Sequence, residues 1–457
     1  MTQSRSLLRH ADFLKLWTAE TISQFGTQVS LLAIPLVAVT ILEASAFEVA
    51  MLGTIEFLPF ILFSLPAGAW VDRLRRRPIL IAGDIGRAAL LISIPVAFAF
   101  DVLTIWQLYV VGFLAGTLTV FFDVAYMSYL PSLVDRDQLI EGNSKMEVTR
   151  TLAQTAGPAL SGGLIGVLTA PIAILVDSIS YGVSALFVFL IRRKEPTPDR
   201  HVDEHGQARE GLRKEVAIGL RYVFGNPYLR GIAAATGTSN LFSQIAFATF
   251  IVYAVRELGL SPTEIGIVFG VGNVGALLGA VTGDRWSRRF GLGHTIVGAM
   301  ALTAPGIMLV ALAPTQVPIP FLIAGTSLMG FSSVVYNISQ VSFRQAITPA
   351  AMQGRMNATM RFIVWGTIPV GATLGGIVAT AVGVHEAIWI GAIGSVLAVV
   401  PLVVTPVHTL KTMPEPVGDA PGTDETPVDG APGPAEVGEA IDDGSDLPPD
   451  APGFMQR

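Results

Sequence analysis

Gly68-Ala69-Trp70-Val71-Asp72-Arg73-Leu74-Arg75-Arg76-Arg77-Pro78 packs one acid and four arginines between two apolar runs, 49–71 and 79–100. Runs of that length with almost no charge suit bilayer-spanning helices, because about 20 residues at a 1.5 Å rise cross the hydrocarbon core. The alternation continues in both directions. Apolar stretches near 14–41, 49–71, 79–100, 104–130, 147–168, 171–191, 229–254, 264–283, 294–313, 319–343, 358–381 and 386–406 make twelve predicted spans, so both termini are expected on one side.

Composition agrees with an all-α membrane protein. Of 457 residues 51% are hydrophobic and 14% charged, which excludes an ordinary soluble enzyme. No cysteine is present and the six histidines are scattered, so thiol chemistry and a metal centre are not expected, and neither is a cofactor or a nucleic-acid partner. The first apolar run is too long for a signal peptide and contains Glu20, so it reads as a retained helix.

Basic residues set the predicted orientation. Arg73, Arg75, Arg76, Arg77, Arg136, Lys145, Arg192, Arg193, Lys194, Arg285, Arg288 and Arg289 all fall after even-numbered spans, whereas the opposing loops contain only Arg256. The termini and the long break after span six are therefore expected in the cytoplasm. That break divides the chain into a six-helix bundle at 1–191, a linker at 192–226, a second six-helix bundle at 227–406 and a tail at 407–457. In the linker Leu212, Val216, Leu220 and Val223 share one helical face, as in a helix lying on a membrane surface. Residues 412–457 hold eleven acids and one arginine among prolines and glycines, a composition expected to be disordered.

The halves repeat. Ser45-Ala46-Phe47-Glu48 matches Ser261-Pro262-Thr263-Glu264, the Asp72 to Arg77 segment matches Asp284-Arg285-Trp286-Ser287-Arg288-Arg289, and Arg150 with Pro158 matches Arg361 with Pro369. Duplicated halves predict a pseudo-twofold bundle with a substrate site between them near the midplane.

The Gly68 to Arg77 segment resembles the loop signature of the major facilitator superfamily, Gly-x-x-x-Asp-Arg-x-Gly-Arg-Arg, with Arg75 where the family usually has Gly and Ala280 replacing the first Gly of the second copy. The resemblance covers all twelve spans. It implies a cytoplasmic gate in which Asp72, Arg76 and Asp123 lock together, with Gly68 and Arg73 in the same loop and Asp284, Arg285 and Arg288 in its repeat. Gly157-Pro158-Ala159-Leu160-Ser161-Gly162-Gly163 is similar to the Gly-Pro-x-x-Gly-Gly signature of exporters in this superfamily, although small residues and a proline also serve helix packing alone. Pro131 to Leu139 and Gly354-Arg355-Met356-Asn357-Ala358 resemble the branch that includes enterobactin and macrolide exporters.

Ionisable residues within spans are costly and are functional candidates by default. They are concentrated in the first half: Glu20, Glu56, Asp84, Arg87, Asp123 and Asp177, while the position matching Asp123 is about Ser333. Asp84 and Arg87 lie three apart on one helical face and are expected to pair. Glu56 has no basic residue in its own span, so with Glu20 it is expected to carry protons, and Asp123, Asp177 and Arg87 complete the candidate coupling set. Asp177, near the outer end of span six, reads first as a helix-start residue. Polar stripes Glu20, Gln24, Thr27, then Asn240, Ser243, Phe247, then Ser333, Asn337, Gln340 suggest cavity walls or interhelical bonding. No nucleotide-binding Gly-x-x-x-x-Gly-Lys-Ser/Thr motif occurs. Together these features lead to the expectation of a monomeric proton-coupled antiporter in a bacterial inner membrane, exporting amphipathic small molecules such as a drug, macrolide or siderophore. The alternatives are an importer or lipid transporter of the same fold, or a non-transporting sensor.

Overall fold

The computed structural model describes Leu7 and residues 10–71, 74–134, 138–193, 195 and 212–412. Among them, regular structure is helical throughout. The first half comprises α1 (Ala11–Thr40), α2 (Ala46–Val71), α3 (Arg76–Ala99), α4 (Ile105–Leu133), α5 (Leu139–Leu168) and α6 (Ala170–Phe189). Each of these six is uninterrupted, although every one contains proline, in α6 only in the first turn.

After α7 (Leu212–Gly225) the second half is more broken. Its first span is α8 (Pro227–Phe247), α9 (Phe250–Val252) and a wide turn at Tyr253–Glu257; the next is α10 (Pro262–Gly272) with α11 (Val274–Phe290). Then come α12 (Leu292–Ala301) with α13 (Thr303–Ala311), α14 (Pro318–Ala346), α15 (Ala350–Val382), and α16 (Val384–Val396) leading into α17 (Val400–Val404). Eleven of these helical stretches, among the described residues, are long and apolar enough to cross a membrane. The twelfth predicted span is α5, whose opening turns carry Glu141, Lys145, Glu147 and Arg150 and whose remainder is diluted by Gly, Ser, Thr and Gln. The protein is a multi-pass membrane protein, and Leu62, Ile85, Val110, Val281 and Ile393 expose apolar surface on its outside.

The repeat is visible in backbone detail. Ser45 Oγ accepts from the Glu48 amide at 3.3 Å while its own amide and hydroxyl donate to Glu48 Oε2 at 2.8 Å each, starting α2. Ser261 and Glu264 make the same box at the start of α10, at 3.3, 2.8 and 2.7 Å. Each box satisfies helix-start amides that would otherwise be orphaned.

The break between the halves holds the helix α7, whose last turns pack against the second half. Val223 is fully buried and Gly219 sits against Thr359 and the Arg355 carbonyl of α15, so this face is covered by protein.

Candidate transport site

The halves meet at the end opposite the arginine clusters. Thr54 of α2 bonds Thr373 of α15 at 3.1 Å, and Arg256 Nη2 donates to the carbonyls of Ala44, just beyond α1, at 2.8 Å and of Val39, in its last turn, at 3.4 Å. Thr263 reaches the Gly162 carbonyl at 3.3 Å, and nearer the middle Asn273 donates to the Gln154 carbonyl at 2.5 Å. At the arginine-rich end the described residues show no hydrogen bond between the halves; Asp123, Glu147 and Arg150 on one side and Ser333 and Asn337 on the other are exposed. The molecule is closed at one end and open at the other.

One of the four exporter-motif positions, Gly162, explains the closed seam. A Cβ on Gly162 would lie 2.5 Å from the Pro262 carbonyl oxygen and 2.7 Å from Gly266 Cα, so only paired glycines let α5 and α10 touch backbone to backbone. Gly157 makes room for the Gln28 side chain, Pro158 faces the interior, and Gly163 borders open space.

Beneath the seam lies a cavity of about 320 Å³ with walls from both halves, among them Gln28, Glu56, Phe57, Gln244, Phe247 and Phe269. Glu56 is its acidic residue. Among the described residues its carboxylate has no hydrogen-bond or salt-bridge partner. Apart from Glu56, Gln28 and Gln244 the walls are aliphatic and aromatic, the chemistry of a site for an amphipathic ligand. A second cavity of about 260 Å³ opens between α2 and α15 around Phe60, Asn357, Arg361 and Trp365, where the Arg361 guanidinium stands 5.3 Å from the Trp365 ring centre.

Glu20, Asp84 and Asp177 are the buried carboxylates of the first-half helices among the described residues, and each is hydrogen-bonded. Arg87 Nη2 donates to Asp84 Oδ1 at 2.6 Å, as the three-residue spacing predicts, and Ser184 of α6 donates to Asp84 Oδ2 at 2.7 Å. The Arg87 guanidinium is sandwiched between the rings of Phe122 at 4.2 Å and Tyr181 at 4.1 Å. Tyr181 shares a 2.8 Å hydrogen bond with Thr27, and Gln24 donates to Glu20 Oε1 at 2.7 Å. Asp123 feels the charges of Arg87, Arg150 and, from the second half, Arg361.

Some expectations are corrected. Asp177 does not start a helix: it lies two turns inside α6, 1% exposed, and accepts from Ser30 and from Ser180. Gly26 is what admits it, since a Cβ there would collide with Ser180 and Asp177. Of the polar stripes only Phe247 lines the central cavity. Thr27 is spent on Tyr181, Asn240 donates to the Val364 carbonyl at 3.0 Å, and Gln340 donates to Asn337 at 3.0 Å within α14. Ser243 and Gln24 stand outside those walls as well. Gln28 was the missed member of the α1 stripe, one turn beyond Gln24 on the Glu20 face, and Gln244 is the neighbour of Ser243.

The gate segments differ between copies. Asp72 and Arg73 lie outside the described residues, and Gly68 falls within α2. Arg76 opens α3, where its amide donates to Glu195 Oε1 at 2.7 Å and its guanidinium pairs with the same oxygen at 3.4 Å. Glu195 carried no sequence signal beyond its place in the linker. In the second half Asp284 and Arg288 form an exposed ion pair four residues apart, and Arg285 turns back to the Val281 carbonyl at 3.4 Å.

The family model described as transmembrane secretion effector matches residues 2–435. The multidrug efflux pump Tap of Mycolicibacterium fortuitum is 29% identical, covering 79% of this chain and 87% of its own. Macrolide efflux protein A of Streptococcus pyogenes is 22% identical, covering 88% and 97%. Among solved structures, a bacterial homologue of the iron transporter ferroportin in its inward-facing state superposes with a TM-score of 0.69 at 16% identity, over 87% of this chain and 99% of that one. At that identity the likeness is one of fold.

Proposed function

Because the chain belongs to the transmembrane secretion effector family of the major facilitator superfamily, and is a transporter and not an enzyme, we propose that it exports amphipathic small molecules by proton-coupled antiport. The observation that carries this reading is the unpartnered Glu56 carboxylate in an aromatic cavity walled by both halves. An ionised carboxylate in a dry bundle is unfavourable by several kcal/mol unless paired, so a proton or a cationic substrate suits that position, and each displaces the other. The efflux names carried by the relatives support the outward direction.

In this reading the arginine-rich end faces the cytoplasm of a bacterial inner membrane, with both termini on that side. Bundles 1–191 and 227–406 rock about the central cavity, joined by the 192–226 linker. The open end then closes through Asp72, Arg73, Arg76 and Asp123, with Asp284, Arg285 and Arg288 in the repeat copy. Glu20, Asp123 and Asp177 pass protons within the first half, and Arg87 sets their field.

The test uses proteoliposomes with an imposed proton gradient and a substrate found by accumulation screening. Glu56→Gln keeps the shape and hydrogen-bonding capacity but cannot ionise, so we expect retained downhill exchange and at least tenfold slower gradient-driven export. Full gradient-driven export by Glu56→Gln and by Glu20→Gln would move the coupling elsewhere.

A further inference from the structure

Arg75 stands where the loop signature has glycine, and its repeat counterpart is Ser287, so the gate reading leaves it unused. It directly precedes α3 in extended backbone (φ −69°, ψ 130°), its side chain makes no capping bond, and among the described residues no hydrogen bond or ion pair holds it. The guanidinium lines a groove of about 720 Å³ between α3 and the end of α6, together with Arg77, Pro78, Ile81, Ile85, Phe189 and Glu195.

The groove has two kinds of wall. At its mouth are Arg75 and Arg77. Arg77 is fixed by donating Nε to the Val188 carbonyl at 3.2 Å and Nη2 to the Phe189 carbonyl at 2.5 Å, which satisfies the end of α6. Glu195 does not neutralise the mouth freely, because its oxygens are occupied by the amides of Arg76 and Arg77 and by the Arg76 guanidinium. Along the depth of the groove the walls are Ile81, Ala82, Ile85 and Phe189, and Ile85 is 56% and Phe189 63% exposed on the outside of a membrane-crossing bundle. Trp70 and Leu74, also exposed, stand close in sequence to the mouth, as side chains at a membrane–water boundary do.

We infer that this groove binds an anionic phospholipid of the leaflet at the arginine-rich end, with its phosphate on Arg75 and Arg77 and an acyl chain along Ile81, Ile85 and Phe189. A membrane helix face is always in contact with acyl chains, so the occupant of the apolar part is lipid by location. The two cations at headgroup level select for negative charge, each arginine near a membrane surface contributing about a fivefold preference. A zwitterionic headgroup brings its own cation to the same place and gains less. The bound lipid also ties the first turn of α3 to the end of α6 directly beside the gate segment.

The test is competitive lipid retention by the full-length protein, purified in detergent, mixed with equal phosphatidylglycerol and phosphatidylcholine, and resolved by native mass spectrometry. The wild type should retain phosphatidylglycerol at least fivefold over phosphatidylcholine. Arg75→Ser, which installs the second-half residue, should bring the ratio to near one, and Arg75→Lys should restore most of it. Ala82→Trp, which fills the groove from the lipid side, should lower retention of both lipids. Arg230→Ser removes an exposed charge elsewhere and should change nothing. Melting curves with added phosphatidylglycerol give a second reading, with lipid stabilisation present in wild type and absent in Arg75→Ser. An unselective wild type, an Arg75→Ser protein that keeps its preference, or equal protection by glycerol phosphate alone would each overturn the assignment.

Discussion

Alanine at Gly162 would place its Cβ 0.7 to 0.9 Å inside the ordinary 3.4 Å contact with Gly266 Cα and the Pro262 carbonyl oxygen. Both neighbours are backbone and neither can rotate away, so α5 and α10 must separate. Overpacking of this kind costs about 1–3 kcal/mol. In a transporter that alternates, the α5–α10 seam exists while this end is closed, so the cost falls on one state and shifts the equilibrium towards opening by about 5 to 150-fold. The adjacent motif glycine supplies the control. A Cβ on Gly163 meets nothing within 4 Å, so Gly163→Ala only gains helix propensity of about 0.5–1 kcal/mol in both states. Because the chain has no cysteine, Val102→Cys and Val317→Cys, both exposed at the closed end and one in each half, can be spin-labelled alone for distance measurement. Gly162→Ala should populate a longer distance and Gly163→Ala should overlay the parent. If both glycine variants give the parent distribution, the seam is not a moving contact.

Two further outcomes follow from the first-half charges. Asp84→Asn strands the buried Arg87 guanidinium and should destabilise the protein by about 3–5 kcal/mol, read as a lowered melting temperature, whereas replacing both by apolar residues should recover part of the loss; a double variant no better than the single would contradict this. Asp72→Asn should insert normally yet transport poorly, and wild-type rates in Asp72→Asn combined with Asp123→Asn would dismiss the gate.

The sequence carried the helices because bilayer length and loop charge are one-dimensional signals, and it carried the Asp84–Arg87 pair because both partners sit on one helix. Contacts made between helices were hidden. Ser30 and Asp177 are 147 residues apart, Thr27 and Tyr181 are 154 apart, and nothing in either local pattern announces the other. The polar stripes point to hydroxyl and amide residues for the cavity, yet such groups tend to be consumed by neighbouring backbone, as Asn240 is by Val364. What remained for the cavity was Gln28, Gln244 and Glu56 among aromatic rings. Arg256 was visible as the lone exception to the charge bias, and the exception proved to be a contact between halves.

The uneven continuity of the helices has a mechanical meaning. A rod is stiff while its ladder of backbone bonds is intact and bends most easily where the ladder is interrupted. Every crossing of the first half is one continuous helix despite the ladder bonds lost at its prolines, and buried hydroxyl–carboxylate bonds, Ser184 to Asp84 and Ser30 to Asp177, rivet those crossings to one another. The second half is jointed at Ala248–Thr249, at Asn273, at Leu302 and at Leu397–Val399, with the wide turn of Tyr253–Glu257 adding slack. Force applied across the cavity would therefore meet a cross-bonded frame on one side and a set of elbows on the other, and the flexing would fall to the half that holds almost none of the buried charge.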